Sequence, residues 1–344
     1  MDNPRDALHL QLERWQLRAA RAQAVRDKQP VVELDEQLAE LEQDLERPGD
    51  RHERMRGLAA RLALDTAEVD LLWWIVAIAT EPAVLRAADA LAGNRTRRGS
   101  SVAVFSEVAQ VPAEAARDLA IQLARGHVLV ATGLVRSPDD EVTAGSAFVP
   151  SPRLVAFLLG DDTPDSPVER VEVRTAQRAG YLFDRDQLRT MTQLAELTAP
   201  TSRVVIALEG PARTGRRTAI AFTANRPVLS IDFERLVGPQ AIVMGLRALR
   251  RELALVDGIP VLSNLALDRS AGDALAAVAR FLDEHPGPIV LSSALPSANL
   301  QTTRPIVRVR WSVPDMTVRR ALWQQALRGR EVSDLDGIAM RYRL

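Results

Sequence analysis

The sequence predicts two kinds of structure in succession: a mainly helical region up to about residue 160, then an α/β domain with a parallel sheet. The first half carries apolar residues at helical spacing, whereas the second half alternates short apolar runs with helical segments. One of these runs, 204–208, leads directly into a glycine-containing loop at 210–218. Strands that alternate with helices in this way favour a parallel sheet with helices on both faces.

The composition is that of a globular protein with neither metal nor thiol chemistry. A chain of 344 residues, 47% of them hydrophobic, can form two or three domains with buried cores. The 44 basic and 45 acidic residues nearly cancel, so the overall positive field of a protein that binds nucleic acid through its phosphates is missing. There is no cysteine, and the 4 histidines lack metal-ligand spacing.

No segment is expected to cross a membrane. The longest apolar stretch, 71–79, is too short to span a bilayer, and the N-terminus has no apolar signal region. The sequence therefore predicts a cytoplasmic protein.

Residues 1–48 are predicted to form two helices separated at Pro30. Their apolar stripes are narrow, with Leu8 and Leu12 on the first helix and Leu34 and Leu38 on the second. Narrow stripes favour a helical hairpin or a coiled-coil arm that contacts a partner, and a helix pair packed on its own chain is the alternative.

Residues 51–160 are predicted to form a helical domain. The run at 71–79 is apolar on all sides and indicates a buried helix, so Trp73 and Trp74 are interpreted as core residues. Helices near 102–109 and 112–125 follow, and then β-prone segments at 128–132 and 148–149.

Two helices followed by a two-stranded wing is the order of a winged-helix unit. The second helix carries acidic residues beside one arginine, and this favours a protein-contact or spacer role over base readout.

Residues 161–170, rich in proline and aspartate, are predicted to be a linker, 171–311 an α/β core and 312–344 the beginning of a helical lid. The predicted strands of the core are 204–208, 228–231, 259–262, 289–291 and 307–311, and its predicted helices are 219–224, 240–255 and 271–282.

The glycine loop resembles a phosphate-binding P-loop, G-x-x-x-x-G-K-[ST], in which backbone N–H groups and a lysine hold phosphates and a hydroxyl ligates Mg²⁺. Arg216 stands in place of the lysine and Arg217 in place of the hydroxyl. Arginine replaces lysine almost everywhere in this chain, since Lys28 is the only lysine, so Arg216 alone is not diagnostic. The predicted nucleotide-binding residues are Gly210, Pro211, Ala212, Arg213, Thr214, Gly215, Arg216, Arg217 and Thr218.

The order of strand, P-loop, helix and further strands resembles the core of AAA+ ATPases, and 319–323 and 336–344 resemble the first helices of their lid. Residues 64–79, the winged-helix region and 152–160 are similar to bacterial AAA+ proteins with a helical and winged-helix N-terminal region. Some of those accompany contractile injection systems. The resemblance implies a P-loop NTPase core of AAA+ type behind a winged-helix-type domain.

In that family the third strand of the core ends in an acidic pair, the Walker B motif, which holds Mg²⁺ and polarises the attacking water. Here Ser263 and Asn264 occupy those positions, and Asp268 would have to fold back to substitute. The resemblance makes Ser293 a candidate sensor of the γ-phosphate. It makes Arg304 a candidate finger toward a neighbouring subunit, although a surface arginine explains that residue equally well.

The sequence therefore predicts a catalytically silent AAA+-like module, a pseudoenzyme that binds ATP or ADP at most and has no evident Mg²⁺ site. It would assemble with itself or with an active AAA+ domain, and the end of the chain inside the lid indicates a fragment or the front half of a tandem protein. One alternative is an active ATPase that uses Arg216 for the lysine, with an acid supplied by a partner subunit. Another is a winged-helix DNA-binding regulator.

Overall fold

The computed structural model describes residues 4–46, 52–93, 99–139, 142–143, 145–174, 178, 180–265, 272–293, 302–328, 330 and 334–342. The chain forms two compact units, Met1–Thr163 and Pro164–Leu344, here called unit 1 and unit 2.

Unit 1 is mainly helical with a small antiparallel sheet of order β1-β3-β2. Its helices are α1 (Pro4–Arg26), α2 (Val32–Glu46), α3 (Glu53–Leu62), α4 (Thr66–Thr80), α5 (Pro82–Leu91), α6 (Val102–Ala109), α7 (Ala113–Ala124), α8 (Val128–Ala131) and α9 (Pro152–Leu158). Its strands are β1 (Ser100–Ser101), β2 (Val135–Arg136) and β3 (Ala147–Pro150).

The first two helices do not form a separate arm. Helix α1 packs against α2, α4, α5 and α6. Trp15 is fully buried, with its ring centroid 5.8 Å from that of Trp74 and 6.1 Å from that of Phe105. Helices α1 and α2 pack on each other, as in the predicted helical hairpin, but the pair belongs to the core of unit 1, so the predicted coiled-coil arm at 1–48 is wrong.

Helix α4 is the centre of unit 1. Asp65 and Glu68 form a reciprocal capping box, in which each side chain accepts a hydrogen bond from the other's backbone N–H. Trp73 and Trp74 are buried, so their prediction as core residues is confirmed. The Trp74 indole donates a 2.8 Å hydrogen bond to the Ser100 hydroxyl and thereby links α4 to β1.

The predicted strand at 128–132 is wrong. This run forms the short helix α8, which is capped by His127, and Leu129 is its fully buried residue. The strand that pairs with β3 is instead Val135–Arg136. An apolar run of four or five residues has no resolved period, so its sequence does not distinguish a buried helical turn from a strand.

Unit 2 has a six-stranded sheet covered by helices. Its strands are β4 (Glu169–Val171), β5 (Val205–Glu209), β6 (Val228–Asp232), β7 (Ile259–Ser263), β8 (Ile289–Ser293) and β9 (Ile306–Arg310). Its helices are α10 (Arg185–Leu197), α11 (Arg216–Ala224), α12 (Pro239–Leu255), α13 (Gly272–Glu284), α14 (Met316–Ala326) and α15 (Leu335–Arg341), with a 3₁₀ turn at Phe233–Arg235.

The strand order is β4-β6-β7-β8-β5-β9, and the five strands from β5 to β9 are parallel. Strand β4 runs antiparallel to β6, so the predicted parallel sheet is in fact mixed.

Strand β4 begins inside the predicted linker 161–170, whose later residues thus belong to unit 2. Asp165, in the same predicted linker, is hydrogen-bonded to helix α12. Its backbone N–H donates to the Glu252 carboxylate at 3.1 Å, and its own carboxylate accepts from Arg251 at 2.5 Å.

The sheet is buried on both faces. Residues of α10 and α11 pack with Ile206 and Leu208 on one face, and residues of α12 and α13 pack with Val205 and its neighbours on the other. After β5 the chain crosses over β8 and β7 to β6, and then returns through β7 and β8. Strand β5 is therefore where the strand order reverses.

His285, after α13, is half-buried and its ring stacks on that of Phe281, with the centroids 5.9 Å apart. Burial, together with the positive charges of Arg304, Arg226 and Arg250, lowers its pKa from 6.5 to about 4. A histidine with a lowered folded-state pKa is protonated first in the unfolded chain, so stability falls as the pH falls from about 6.5 toward 4.

Replacement of this group, His285→Gln, should remove about 2 kcal/mol of the stability that the wild-type protein loses between pH 7.5 and pH 5.0. Urea denaturation at the two pH values measures the difference. His9→Gln, at an exposed histidine, is the control and should keep the wild-type difference. An unchanged pH dependence in His285→Gln would contradict the assignment.

Candidate functional site

The predicted glycine loop 210–218 lies at the carboxyl edge of the sheet: residues 210–215 join β5 to α11, and residues 216–218 form the first turn of that helix. In α/β sheets ligands bind at this edge, next to the strand where the order reverses. Gly210 is required by packing, because a Cβ there would lie 2.3 Å from the Trp311 carbonyl oxygen. Gly215, the N-cap of α11, has φ +80°, and Arg213 has φ +61°, a left-handed conformation that non-glycine residues rarely adopt.

The loop is braced by its own residues and by the chain after β9. The buried Thr214 hydroxyl donates to the Pro211 carbonyl at 2.8 Å, and the Trp311 indole donates to the Thr214 carbonyl at 2.9 Å. Ala212, Arg213 and Gly215 are exposed, and Pro211 and Thr218 are half-buried.

Arg216 turns back into the sheet. Its side chain is only 8% exposed, and its Nη1 donates to the Leu208 carbonyl at 3.3 Å and to the Ser293 carbonyl. These carbonyls lie at the carboxyl ends of β5 and β8, so the guanidinium ties two neighbouring strands together. Burial lowers the pKa of Arg216, and the charge of Arg217 lowers it further.

Arg217 turns toward the edge strand β4. Its Nη1 donates to Glu169 Oε2 at 2.5 Å and to the Ser230 hydroxyl at 2.9 Å. Glu169 Oε1 also accepts from Arg235 Nη1 at 2.6 Å. The hydrogen bond from Arg217, with the charges of both arginines, holds the pKa of Glu169 below its usual range.

The two residues at the predicted Walker B positions lie at the carboxyl end of β7. Ser263 is half-buried and is in register with Asp232 of β6. The Asn264 side-chain amide donates to Asp232 Oδ1 at 3.0 Å, and its backbone N–H donates to the Ser292 carbonyl at 2.9 Å. Asp268, the possible substitute acid, lies outside the described residues.

Ser293, the candidate sensor, ends β8 beside the glycine loop. Its carbonyl accepts from the Gly210 N–H at 3.1 Å as well as from Arg216. The position is at the correct edge of the sheet for a ligand-contacting residue.

Arg304 does not fit the predicted role of an arginine finger. It precedes β9, at the amino edge of the sheet and opposite the glycine loop, and it is only 7% exposed. Its guanidinium donates to five backbone carbonyls within unit 2, those of Arg203, Val204, Leu282, His285 and Gly287. A side chain committed in this way cannot reach a neighbouring subunit, so the prediction is corrected.

Two acidic residues of this edge were missed by the sequence analysis. Glu169 lies in the predicted linker, and Asp232 directly follows the predicted apolar strand 228–231 and ends the observed strand β6. An acid directly after a buried run is the available signal for Asp232, whereas Glu169 contacts Arg217 across 48 residues and has no local signal. The described residues include no group of three or more acidic or histidine side chains that could hold a metal.

In the ranges that the structure describes, no single helix is both long and apolar enough to cross a bilayer. Helices α4 and α5 meet the length and composition criteria together, but they are bent by 111° and the apolar face of α4 is buried.

Comparisons with known proteins agree with the description of unit 1. A family model described as "Winged helix domain, variant" matches residues 3–171, so the N-terminal region is a winged-helix region. Among solved structures, C. elegans PCH-2 is similar over 49% of this chain and 54% of that chain, at 13% identity and a TM-score of 0.33. A search of curated proteins finds no match.

The Arg304 geometry predicts a large loss of stability in Arg304→Ala, because several carbonyls would lose a charged donor at once. We expect the free energy of unfolding to fall by about 3 kcal/mol or more. Arg304→Lys should recover only part of this loss, since an ammonium lacks the planar fork of donors.

The control is Arg308→Ala, at an exposed arginine of the adjoining strand, which should change stability by about 0.5 kcal/mol or less. Equal stability of Arg304→Ala and Arg308→Ala would contradict the structural role given to Arg304.

Proposed function

We propose that this protein is a non-hydrolysing AAA+-like module that binds a nucleotide or another oxyanion at most, and that serves assembly or regulation of an AAA+ complex. The observation that carries the proposal is the orientation of Arg216, whose guanidinium is bound to the carbonyls of Leu208 and Ser293. At the position where a P-loop lysine would reach phosphates, this side chain instead joins two strands.

The proposed lack of hydrolysis rests on the side chains that the described residues place at the carboxyl edge. Phosphoryl transfer depends on positioning and on electrostatic stabilisation, both of which need a metal and an acid that orients water. Ser263 and Asn264 provide no carboxylate, and Asp232 already accepts hydrogen bonds from Asn264 and from the Glu234 N–H. Loss of each of these groups costs orders of magnitude in rate.

Anion binding is a separate property with separate support. The first N–H groups of α11 follow Gly215, which supplies no side-chain cap. A helix N-terminus of this kind favours negative charge through its dipole and its free N–H groups. Such binding of ATP or ADP would need no Mg²⁺.

The assembly role rests on the resemblance to AAA+ proteins and on the surface of unit 1. Helix α7 exposes acidic and basic side chains side by side, among them Glu114, Arg117 and Asp118. Mixed charge suits a contact with protein better than one with the phosphate backbone. The partner would be a second copy of this chain or an active AAA+ domain.

The winged-helix match is the one observation that favours a DNA-binding regulator instead. A salt-dependent mobility shift of duplex DNA by the purified protein would support that alternative.

Purified protein should show no ATP turnover above the buffer background with Mg²⁺ present. Restoring the motif in Arg216→Lys/Arg217→Thr should not create turnover, since the acids at 263 and 264 are still missing. A coupled assay for released phosphate measures both proteins.

A wild-type rate well above background, lost in Arg216→Ala while the variant keeps the wild-type melting temperature, would contradict the proposal and favour an active ATPase. If Arg216→Ala unfolds, Arg216→Lys at the same position is the comparison, and retention of a wild-type rate in it gives the same contradiction.

A further inference from the structure

One carboxylate lies between two guanidinium groups beside the glycine loop. Glu169 Oε2 accepts from Arg217 at 2.5 Å and Glu169 Oε1 accepts from Arg235 at 2.6 Å. Each oxygen thus serves a different arginine. The Ser230 hydroxyl, on a residue only 1% exposed, lies 2.9 Å from the same Nη1 of Arg217 and fixes its direction.

This geometry is that of a bound oxyanion. Arginine pairs that donate to separate oxygens of one group are typical of carboxylate and phosphate recognition. A phosphate group can use two oxygens in the same way and carries more negative charge than a carboxylate. The ligand class that suits the pair is therefore a tetrahedral oxyanion, either free or at the end of a nucleotide.

We propose that Arg217 and Arg235 form an oxyanion site that Glu169 occupies from within the chain, so that a phosphate-bearing ligand must displace Glu169 to bind. The proposal deepens the proposed function and rests on it, because it sets how tightly this edge of the sheet holds an anion.

Displacement of the Glu169 carboxylate from the two arginines costs little free energy. It lies on β4, a strand of only three residues that pairs with β6 on one side. The Glu169 side chain is 38% exposed, and Arg217 and Arg235 are 40% and 70% exposed. Ion pairs at such exposure are weakened by solvent, so a ligand anion can compete for the arginines.

One further charge opposes the ligand. Asp232 Oδ2 lies 3.6 Å from Arg235 Nε, so Arg235 keeps a carboxylate neighbour after Glu169 is removed. The two guanidiniums still outnumber this single carboxylate. Without Glu169 the site therefore still attracts an anion, but only weakly.

Pyrophosphate binding to the full chain tests the proposal, measured by calorimetry at a fixed low salt concentration. Glu169→Gln should bind pyrophosphate at least fivefold more tightly than wild type, which corresponds to removal of about one surface ion pair. Glu169→Gln/Arg217→Gln should lose this gain. Glu169→Ala, which removes the side chain, should show the gain even if the glutamine amide still contacts the arginines.

The matched control is Asp186→Asn, which removes one negative charge from an exposed ion pair with Arg189 in the same unit. It should leave the affinity for pyrophosphate unchanged. Equal gains in Glu169→Gln and Asp186→Asn would overturn the proposal, because they would show a general charge effect. No gain in either Glu169 variant would also overturn it.

A parallel titration with ADP identifies the source of the anion: a matching gain for ADP indicates that the nucleotide tail uses the site, and a gain confined to pyrophosphate indicates a free anion. Either result supports the oxyanion site. ATP turnover measured on the same samples distinguishes failure of the proposed function from failure of this inference. Turnover by wild type would contradict the proposed function, whereas a missing gain without turnover would contradict this inference alone.

Discussion

The hydrogen bonds from Arg216 to the carbonyls of Leu208 and Ser293 are the interaction on which this edge of unit 2 depends. They join β5 to β8 where the strand order reverses, the place where a ligand would enter. A guanidinium in that position can bind either an anionic ligand or backbone carbonyls of the protein itself. Because the Arg216 guanidinium is buried and donates to the Leu208 and Ser293 carbonyls, it joins the two strands instead of binding a ligand.

Two other arginines of this unit also bind groups within the protein. Arg217 is directed to Glu169 and Ser230, and Arg304 binds a set of carbonyls at the opposite edge of the sheet. The planar fork of arginine donors suits these tasks, and a lysine would satisfy fewer acceptors at each point. A chain that contains almost no lysine has thus placed arginine donors at positions that organise its backbone.

The sequence predicted the parts of the structure that depend on local pattern. The strands β5 to β9 and the helices α11 to α13 were predicted because buried parallel strands are short apolar runs between amphipathic helices. Helix α10 and strand β4 were missed, because both are polar and β4 follows a proline-rich stretch. The roles of Arg304 and Glu169 depend on contacts with residues far away in the sequence, and no local pattern encodes them.

The central claim is that Arg216 serves the fold and that Ser263 and Asn264 supply no carboxylate at the end of β7, so that any nucleotide binds without a metal. The most direct measurement is a titration with fluorescent ADP in the presence of Mg²⁺ and in its absence. The account predicts dissociation constants that agree within about a factor of two, since the described residues of the loop and of the β7 end include no carboxylate to hold a metal. Binding that tightens about tenfold or more with Mg²⁺ would contradict it.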